Sequence, residues 1–440
     1  MNNIVKKLCI CIPTQNRAEM IDDVLQYESE YYPEYDFDVI YYDSSDTDDT
    51  QKVIDKYKKK GFKNLFYQRV KSGQCIDYKI IDIWRNNKIL LNYKYIWLIN
   101  DATTVFAEFI NELFGYLDDD YDLIRLPREG AKNSEDFITS DQDEWFHKCS
   151  ESMGYMASTI MNSRLLSGSI DWNSLRDKYV GSNDINDKAH GFFFTVGFYL
   201  ERILDFNDFK GLLIGGRKKW RRESPLKNGN SYWNDLIFDT WARSYPETIL
   251  KTPSCYTDKK EIIRISDNIM CGRFERQSLI SLRIRGLLTE NEFLRFKNFW
   301  QYVTTLSEDE IREIACTPRD ALIGKYGENY GRADVWSKNL AKIENEVKDR
   351  EIIIYGAGLY GTYSLEKLIH DGFKEKISGI AVTNKTENAD AVMGISVREI
   401  AEYDNKKTTA MVIIATLPDT AQKIRKSLIE RGYKNIYPLF

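Results

Sequence analysis

The stretch YKYIWLINDATTVF, Tyr93 to Phe106, decides how this chain folds. Apolar and aromatic residues run unbroken from Tyr95 to Ile99, stop on Asn100-Asp101, and give way to small hydroxyl residues. A run with no polar alternation reads as a parallel strand buried on both faces. In open α/β sheets ligands gather outside the carboxyl ends of such strands. Asp101 therefore either belongs to a site or caps the next helix.

Outward from this strand the first 125 residues alternate in βαβ fashion. LCICIPT, FDVIYYD, NLFYQRV, YIWLIN and DLIRLPR read as strands, with helices over 17–29, 49–60, 76–91 and 107–117. Right-handed crossovers stack such units into one twisted sheet. Residues from about 130 to 235, rich in Gly, Asn, Asp and aromatics, are expected to form strands and loops over that sheet. A helix is expected from Asp235 to about Ser244, with ETILKTPS as a short strand and turn. The pattern is helical over 272–350, where Thr289 with Glu292 and Ser307 with Glu310 each match a capping box. Gly327 and Gly331 mark a hinge. A second α/β unit opens at EIIIYGAGLYG, with further strands in ISGIAV, AMVIIAT and NIYPLF and helices near 363–371 and 419–431. The expected class is α/β: a first sheet domain over 1–270, a helical segment or linker over 271–348, and a Rossmann-like α/β domain over 349–440.

Composition bounds the function. Of 440 residues, 42% are hydrophobic and 29% charged, as in globular proteins, and the net charge of −5 gives no bulk attraction to nucleic acid. GGRKKWRRESPLK, 215–227, is the exception; its cations suit a phosphate, a lipid surface or an acidic partner, or a solvated loop. Seven Cys without a CxxC pair and three His argue against zinc and for a reducing, cytoplasmic setting. No run of about 18 apolar residues spans a bilayer, so membrane contact is expected to be peripheral, at the inner membrane face.

Two further strand ends carry polar motifs. Strand one ends in Pro13-Thr14-Gln15-Asn16-Arg17, and strand two in YYDSSDTDDT, Tyr41 to Thr50. In this order and spacing, and followed by YIWLIND, these segments resemble the N-terminal half of the family 2 glycosyltransferases, which have the GT-A fold. The family reads Pro-Thr-x-Asn-Arg, a VVDDGSTDGT loop, and a strand closing on Asp-x-Asp. The resemblance covers roughly residues 7–125, and more weakly extends to about 257.

It implies an inverting glycosyltransferase that moves a sugar from a nucleotide-diphosphate donor, a UDP-sugar first, to a hydroxyl of a glycan, lipid-linked or protein acceptor in bacterial surface-glycan synthesis. Pro13 and Thr14 would line the base pocket, with Asp43 facing uracil or an equivalent base. Asp48 falls on the later acidic position of the loop, while Gly73 and Lys79 match positions that approach the sugar diphosphate. Asn100-Asp101-Ala102 stands at Asp-x-Asp, so Asp101, with Asn100 beside it, would hold Mn²⁺ or Mg²⁺. Three accounts follow from the missing carboxylates: Asp101 and waters hold the ion, a protein cation from 217–222 replaces it, or the site is inactive. NDLIFDTWARSYPETI, 234–249, lies on the family's helix that begins Glu-Asp. That placement makes Asp235 the general base and lets Trp233 stack on a sugar. Asp184, Asp187 and His190 are rivals, His190 on the acceptor side.

Gly356, Gly358 and Gly361 form GxGxxG between a strand and a helix. The next strand ends on Thr383-Asn384, without the acid that holds a ribose diol. These glycines serve either tight packing and homo-oligomer formation or nucleotide binding. Two other functions stay open: a non-catalytic sugar-nucleotide-binding or scaffold protein with a degenerate metal motif, and an NAD-linked enzyme acting through the glycine motif.

Overall fold

A computed structural model describes residues 6–126, 135–150, 153–182, 191–215, 220–224, 236–266, 274–284, 286–318, 321–322 and 339–439, the last span without 341, 344–345, 348–349, 359–360, 362–363, 366–367, 370–371, 387, 389, 393 and 417. The chain divides into two compact units. One comprises Met1–Ser224, Leu236–Phe274 and Phe296–Thr305, the other Pro225–Asp235, Glu275–Arg295 and Leu306–Phe440.

The first unit is built on β1 (Lys6–Thr14), β2 (Phe37–Asp43), β3 (Leu65–Arg69) and β4 (Tyr93–Leu98), all parallel. Helices α1 (Ala18–Glu28), α2 (Asp49–Lys59) and α3 (Ile76–Asn86) connect them. β5 (Thr103–Val105) and α4 (Ala107–Tyr116) lead to β6 (Leu123–Arg125) and β7 (Phe137–Thr139). After α5 (Gln142–Cys149) comes β8 (Thr159–Asn162); after α6 (Trp172–Tyr179) and α7 (Phe194–Arg202) comes β9 (Gly211–Leu213). The eight-stranded order is β3-β2-β1-β4-β8-β6-β9-β7, with β8 antiparallel to both neighbours. The expected strands over the first 125 residues are therefore present, and the sheet is parallel-rich and mixed.

Burial explains the composition of these strands. Every residue of β2 is buried, including two acids. Asp38, at the amino end, is satisfied by Lys6 at 2.8 Å and the Tyr93 hydroxyl at 2.6 Å. Leu8, Ile10 and Ile12 share one core with Trp97 and Trp220, as period-two alternation requires. The Trp97 indole N–H donates to the Ala157 carbonyl at 2.8 Å. A two-stranded ribbon forms where β10 (Arg221–Glu223) pairs antiparallel with β5.

Two readings of the chain change. The helix expected over 76–91 ends at Asn86 and continues as a tighter turn over Lys88–Asn92. ETILKTPS is mostly helical: a wide π-type turn over Phe238–Ser244 runs into a helix over Tyr245–Lys251. Pro246 sits in its first turn, where a missing N–H does no harm.

In the second unit, Ser307 and Glu310 form the expected capping box on the helix Glu308–Cys316, and Thr289 accepts from the Glu292 N–H at 3.2 Å. Six strands follow in the order β13-β14-β12-β11-β15-β16. Here β11 is Ile352–Tyr355, β12 Ile377–Val382, β13 Ala391–Val392, β14 Ile395–Glu399, β15 Met411–Ile414 and β16 Asn435–Pro438. All pair in parallel except β13. Ile352 and Ile354 belong to one core cluster, Ile353 and Tyr355 to another, so both faces of this sheet are covered. The hinge expected over 325–332 lies outside the described residues. Among the described residues no helix is long and apolar enough to cross a membrane.

Candidate active site

The carboxyl ends of β1, β2 and β4 meet at one edge of the first unit. Register pairs Thr14 with Asp43, and the Ile99 N–H donates to the Cys11 carbonyl at 3.0 Å, which carries β4 on into Asn100-Asp101. Asp101 is 5% exposed. Its Oδ2 accepts from the Thr14 hydroxyl at 2.7 Å and its Oδ1 from the Arg17 guanidinium at 3.0 Å. Lys79, 4% exposed, reaches up from α3 to donate to the Thr14 carbonyl at 3.0 Å. Burial pulls its ammonium down to about 8, against the charges of Asp101 and Asp43, which act in the other direction.

The turn after β1 makes this convergence possible. Asn16 takes a left-handed φ of 53°, a conformation Asn tolerates, and its N–H donates to the Ser45 hydroxyl at 2.7 Å. Asn16 Oδ1 in turn accepts from the Asp46 N–H at 3.2 Å, tying the β1 and β2 loops together. Arg17 then sits at the start of α1, beside the end of β4.

Asp43 is fully buried at the end of β2. Oδ1 accepts from the N–H of Ser45 at 2.9 Å and from its hydroxyl, and Oδ2 accepts from the Tyr67 hydroxyl at 3.0 Å. The Arg69 guanidinium stands 4.0 Å from the same oxygen and also donates to the carbonyls of Ser45 and Thr47 and to Asp48. Asp48 is exposed and serves this ion pair at the head of α2. Gly73 has a left-handed φ of 74° in the turn that precedes α3, which is the reason for glycine there. Pro13 pairs in register with Tyr42 and is buried in the sheet.

Asn100 is held inward. Its Oδ1 accepts from the Ala102 N–H at 3.1 Å and the Thr103 hydroxyl at 2.9 Å, and its Nδ2 donates to the Tyr155 hydroxyl at 2.9 Å. A hard divalent cation needs several oxygen ligands and takes one or two carboxylates with phosphates. The donor set does not fit that demand: both Asp101 oxygens are engaged, the Asn100 carbonyl is turned into its own loop, and Ala102 offers no side-chain ligand. Among the described residues no three His, Cys, Asp or Glu side chains gather as a metal group.

Of the residues singled out in the sequence, Thr14, Asp43, Lys79 and Asp101 come together at this edge, with Asn100, Pro13 and Asp48 beside them. Asp235, Trp233, His190, Asp184 and Asp187 lie outside the described residues. So do 216–219 and 225–227 of the cationic segment. Arg221 and Arg222 belong to β10; Arg221 stacks 3.9 Å over the Tyr155 ring, and Arg222 pairs with Asp23 at 3.2 Å. Both thus brace the ribbon. Gly356 and Gly361 are demanded by backbone packing: Gly356 has a φ of 118°, and a Cβ on Gly361 would lie 1.8 Å from the Gly356 carbonyl oxygen, whereas Gly358 faces open space.

Four residues of the edge had no assigned role in the sequence reading: Arg17, Tyr67, Arg69 and Tyr155. Arg17 closes the Pro-Thr-x-Asn-Arg text, and Tyr67 with Arg69 alternates along β3, which puts both on one face. Tyr155 carries no local signal, because only tertiary packing brings it to Asn100.

No protein-family model and no curated protein matches this chain. Solved structures do resemble it. S. aureus TarS, residues 1–349, matches with 13% identity over 72% of this chain and 92% of that one, at a TM-score of 0.43. The mannosyltransferase PcManGT from Pyrobaculum calidifontis, solved with GDP-Man and Mn²⁺, matches at 9% identity over 72% and 88%, TM-score 0.36. Glucosyl-3-phosphoglycerate synthase from Mycobacterium tuberculosis, solved with Mn²⁺, UDP and glucosyl-3-phosphoglycerate, matches at 13% over 57% and 82%, TM-score 0.33.

Proposed function

We propose that this chain is an inverting glycosyltransferase that takes a nucleotide-diphosphate sugar, a UDP-sugar first, and moves the sugar to a hydroxyl of a glycan, lipid-linked or protein acceptor in surface-glycan synthesis. One observation carries the reading. Around Thr14 the ends of three adjacent strands gather a buried acid at one side, Asp43 with Tyr67, and a buried acid with two cations at the other, Asp101 with Arg17 and Lys79. An acid suits the N–H of a base; cations suit a diphosphate. The motif resemblance over 7–125 supports the same reading.

In this mechanism the acceptor hydroxyl attacks the anomeric carbon as a carboxylate takes its proton. The bond from that carbon to the diphosphate oxygen breaks, and the nucleoside diphosphate leaves with both electrons. Asp235 is proposed as the base, with Trp233 and His190 toward the acceptor. Positive charge fixed at the leaving group lowers the barrier without reorganisation.

Purified protein incubated with a panel of UDP- and GDP-sugars, read by nucleotide release and product mass, tests the reading. Asp235→Asn is expected to abolish turnover while nucleotide still binds. Retained turnover removes Asp235 from the mechanism, and binding without turnover by the native protein favours the non-catalytic alternative.

A further inference from the structure

Asp101 occupies the position at which the family resemblance implies a metal ligand, yet its surroundings are those of an anion that fixes a cation. We propose that Arg17 and Lys79 together hold the diphosphate of the donor in place of a divalent ion, and that Asp101 is the positioning residue that aims Arg17. The proposal rests on the nucleotide-diphosphate reading above and deepens it.

Geometry is the first ground. Asp101 is almost wholly buried, and its two oxygens are divided between the Thr14 hydroxyl and the Arg17 guanidinium. A metal bound to Asp101 would stand beside the Arg17 guanidinium and be repelled by its charge. Arg17 itself is half-exposed. Among the described residues its other recorded partner is the Met20 sulfur at 4.0 Å, so most of its five N–H donors remain for a ligand. A guanidinium held on one side by a carboxylate presents its remaining donors in a rigid fork, the geometry that phosphate oxygens accept in pairs.

Lys79 is the second ground. A buried ammonium with three donors makes one recorded hydrogen bond, to the Thr14 carbonyl at 3.0 Å. That carbonyl is not waiting for it, because the Ser44 N–H already donates there at 3.1 Å. Leaving a charge buried with so little compensation is unfavourable unless an anion completes its coordination. Arg17 and Lys79 flank Thr14 from the start of α1 and from α3; of the acids facing them, Asp101 is shared between Arg17 and Thr14, and Asp43 is held by Ser45 and Tyr67. An arriving diphosphate supplies the missing negative charge.

The test is calorimetric titration of the full chain with UDP, GDP and uridine, each in EDTA and in Mn²⁺, beside circular dichroism to confirm folding. The expected result is nucleoside-diphosphate binding of equal affinity, within about twofold, in EDTA and Mn²⁺. Arg17→Gln and Lys79→Met are each expected to weaken UDP about 10- to 100-fold, as loss of a charge-assisted contact implies, while leaving uridine unchanged. Arg17→Lys is expected to restore part of the loss. Asp101→Asn is expected to weaken UDP by less than tenfold and equally in both buffers; a metal ligand would instead lose affinity only in Mn²⁺. Binding that requires Mn²⁺ would overturn this inference and leave the glycosyltransferase reading intact. Absence of binding to either diphosphate by the folded native chain, in both buffers, would overturn both.

Discussion

Lys79→Met is expected to stabilise the protein while it weakens nucleotide binding. Burial lowers the Lys79 ammonium from an ordinary 10.5 to about 8. At about 1.4 kcal/mol for each tenfold step, the buried charge destabilises the fold by about 3 kcal/mol at neutral pH. The variant also loses the hydrogen bond to the Thr14 carbonyl, a contribution of about 1 kcal/mol. No acceptor is left unsatisfied, since Ser44 still donates to that carbonyl. The net gain is therefore about 2 kcal/mol, a rise of a few degrees in Tm. The native state binds fewer protons than the unfolded one between pH 8 and 10.5, so the penalty is full below pH 8 and fades as pH rises to the ordinary lysine value. Urea unfolding followed by tryptophan fluorescence at pH 7 and near pH 10.5 reads both effects, Trp97 and Trp220 being buried in the same core. A loss of stability at pH 7, or a gain that does not shrink at high pH, would refute the reasoning. Saturating UDP should reverse the ranking, because ligand stabilises only the state that binds it.

Other expectations follow from single features. Asp77 accepts from the Phe194 N–H at 2.8 Å, and complete burial raises its carboxyl to about 7. Its contribution is present below about pH 4 and is lost as pH rises through 7, so Asp77→Asn should gain on the native protein between pH 4 and 7, by about 1.4 kcal/mol per unit until the carboxyl ionises; a gap in urea midpoints that stays constant over that range would remove this account. Ser307→Ala deletes the capping box of the helix Glu308–Cys316 and should lower stability by about 1 kcal/mol in thermal melts. Gly361→Ala forces a Cβ within 1.8 Å of the Gly356 carbonyl oxygen and should disrupt the second unit, read as early loss of protection in hydrogen exchange over β11 and β15. Survival of those protected amides would show that the turn relaxes freely.

Much of the fold was legible because buried parallel strands write themselves as unbroken apolar runs. LCICIPT, FDVIYYD and YIWLI fit no other element at their length, and the Ser307–Glu310 capping box and the Thr289 cap named their helix starts. ETILKTPS misled for a physical reason. A short Thr-Ile-Leu stretch before Pro has strand propensity, but Tyr245 and Ile249 are both buried four residues apart, and that helical spacing prevails once tertiary packing exists. The π-type turn ahead of it leaves no pattern that a period of 3.6 detects.

The site was legible as a place and less so as chemistry. Strand ends locate Thr14, Asp43 and Asp101, since topology alone brings the carboxyl edges of β1, β2 and β4 together. What an acid does there depends on its partners, and partners come from elsewhere in the chain. Asp101 looks like a metal ligand when read beside Asn100 and Ala102; beside Arg17, 84 positions away, it looks like the anchor of a cation. Lys79 matches a diphosphate position by resemblance alone, and only the packing of α3 against the sheet shows that its charge is buried. A single electrostatic argument covers both residues. Asn100 and Ala102 stand where Asp-x-Asp has its two carboxylates, Asp101 holds the Arg17 guanidinium at 3.0 Å, and Lys79 stands beside them on the Thr14 carbonyl, so the edge offers a diphosphate two cations in place of a metal.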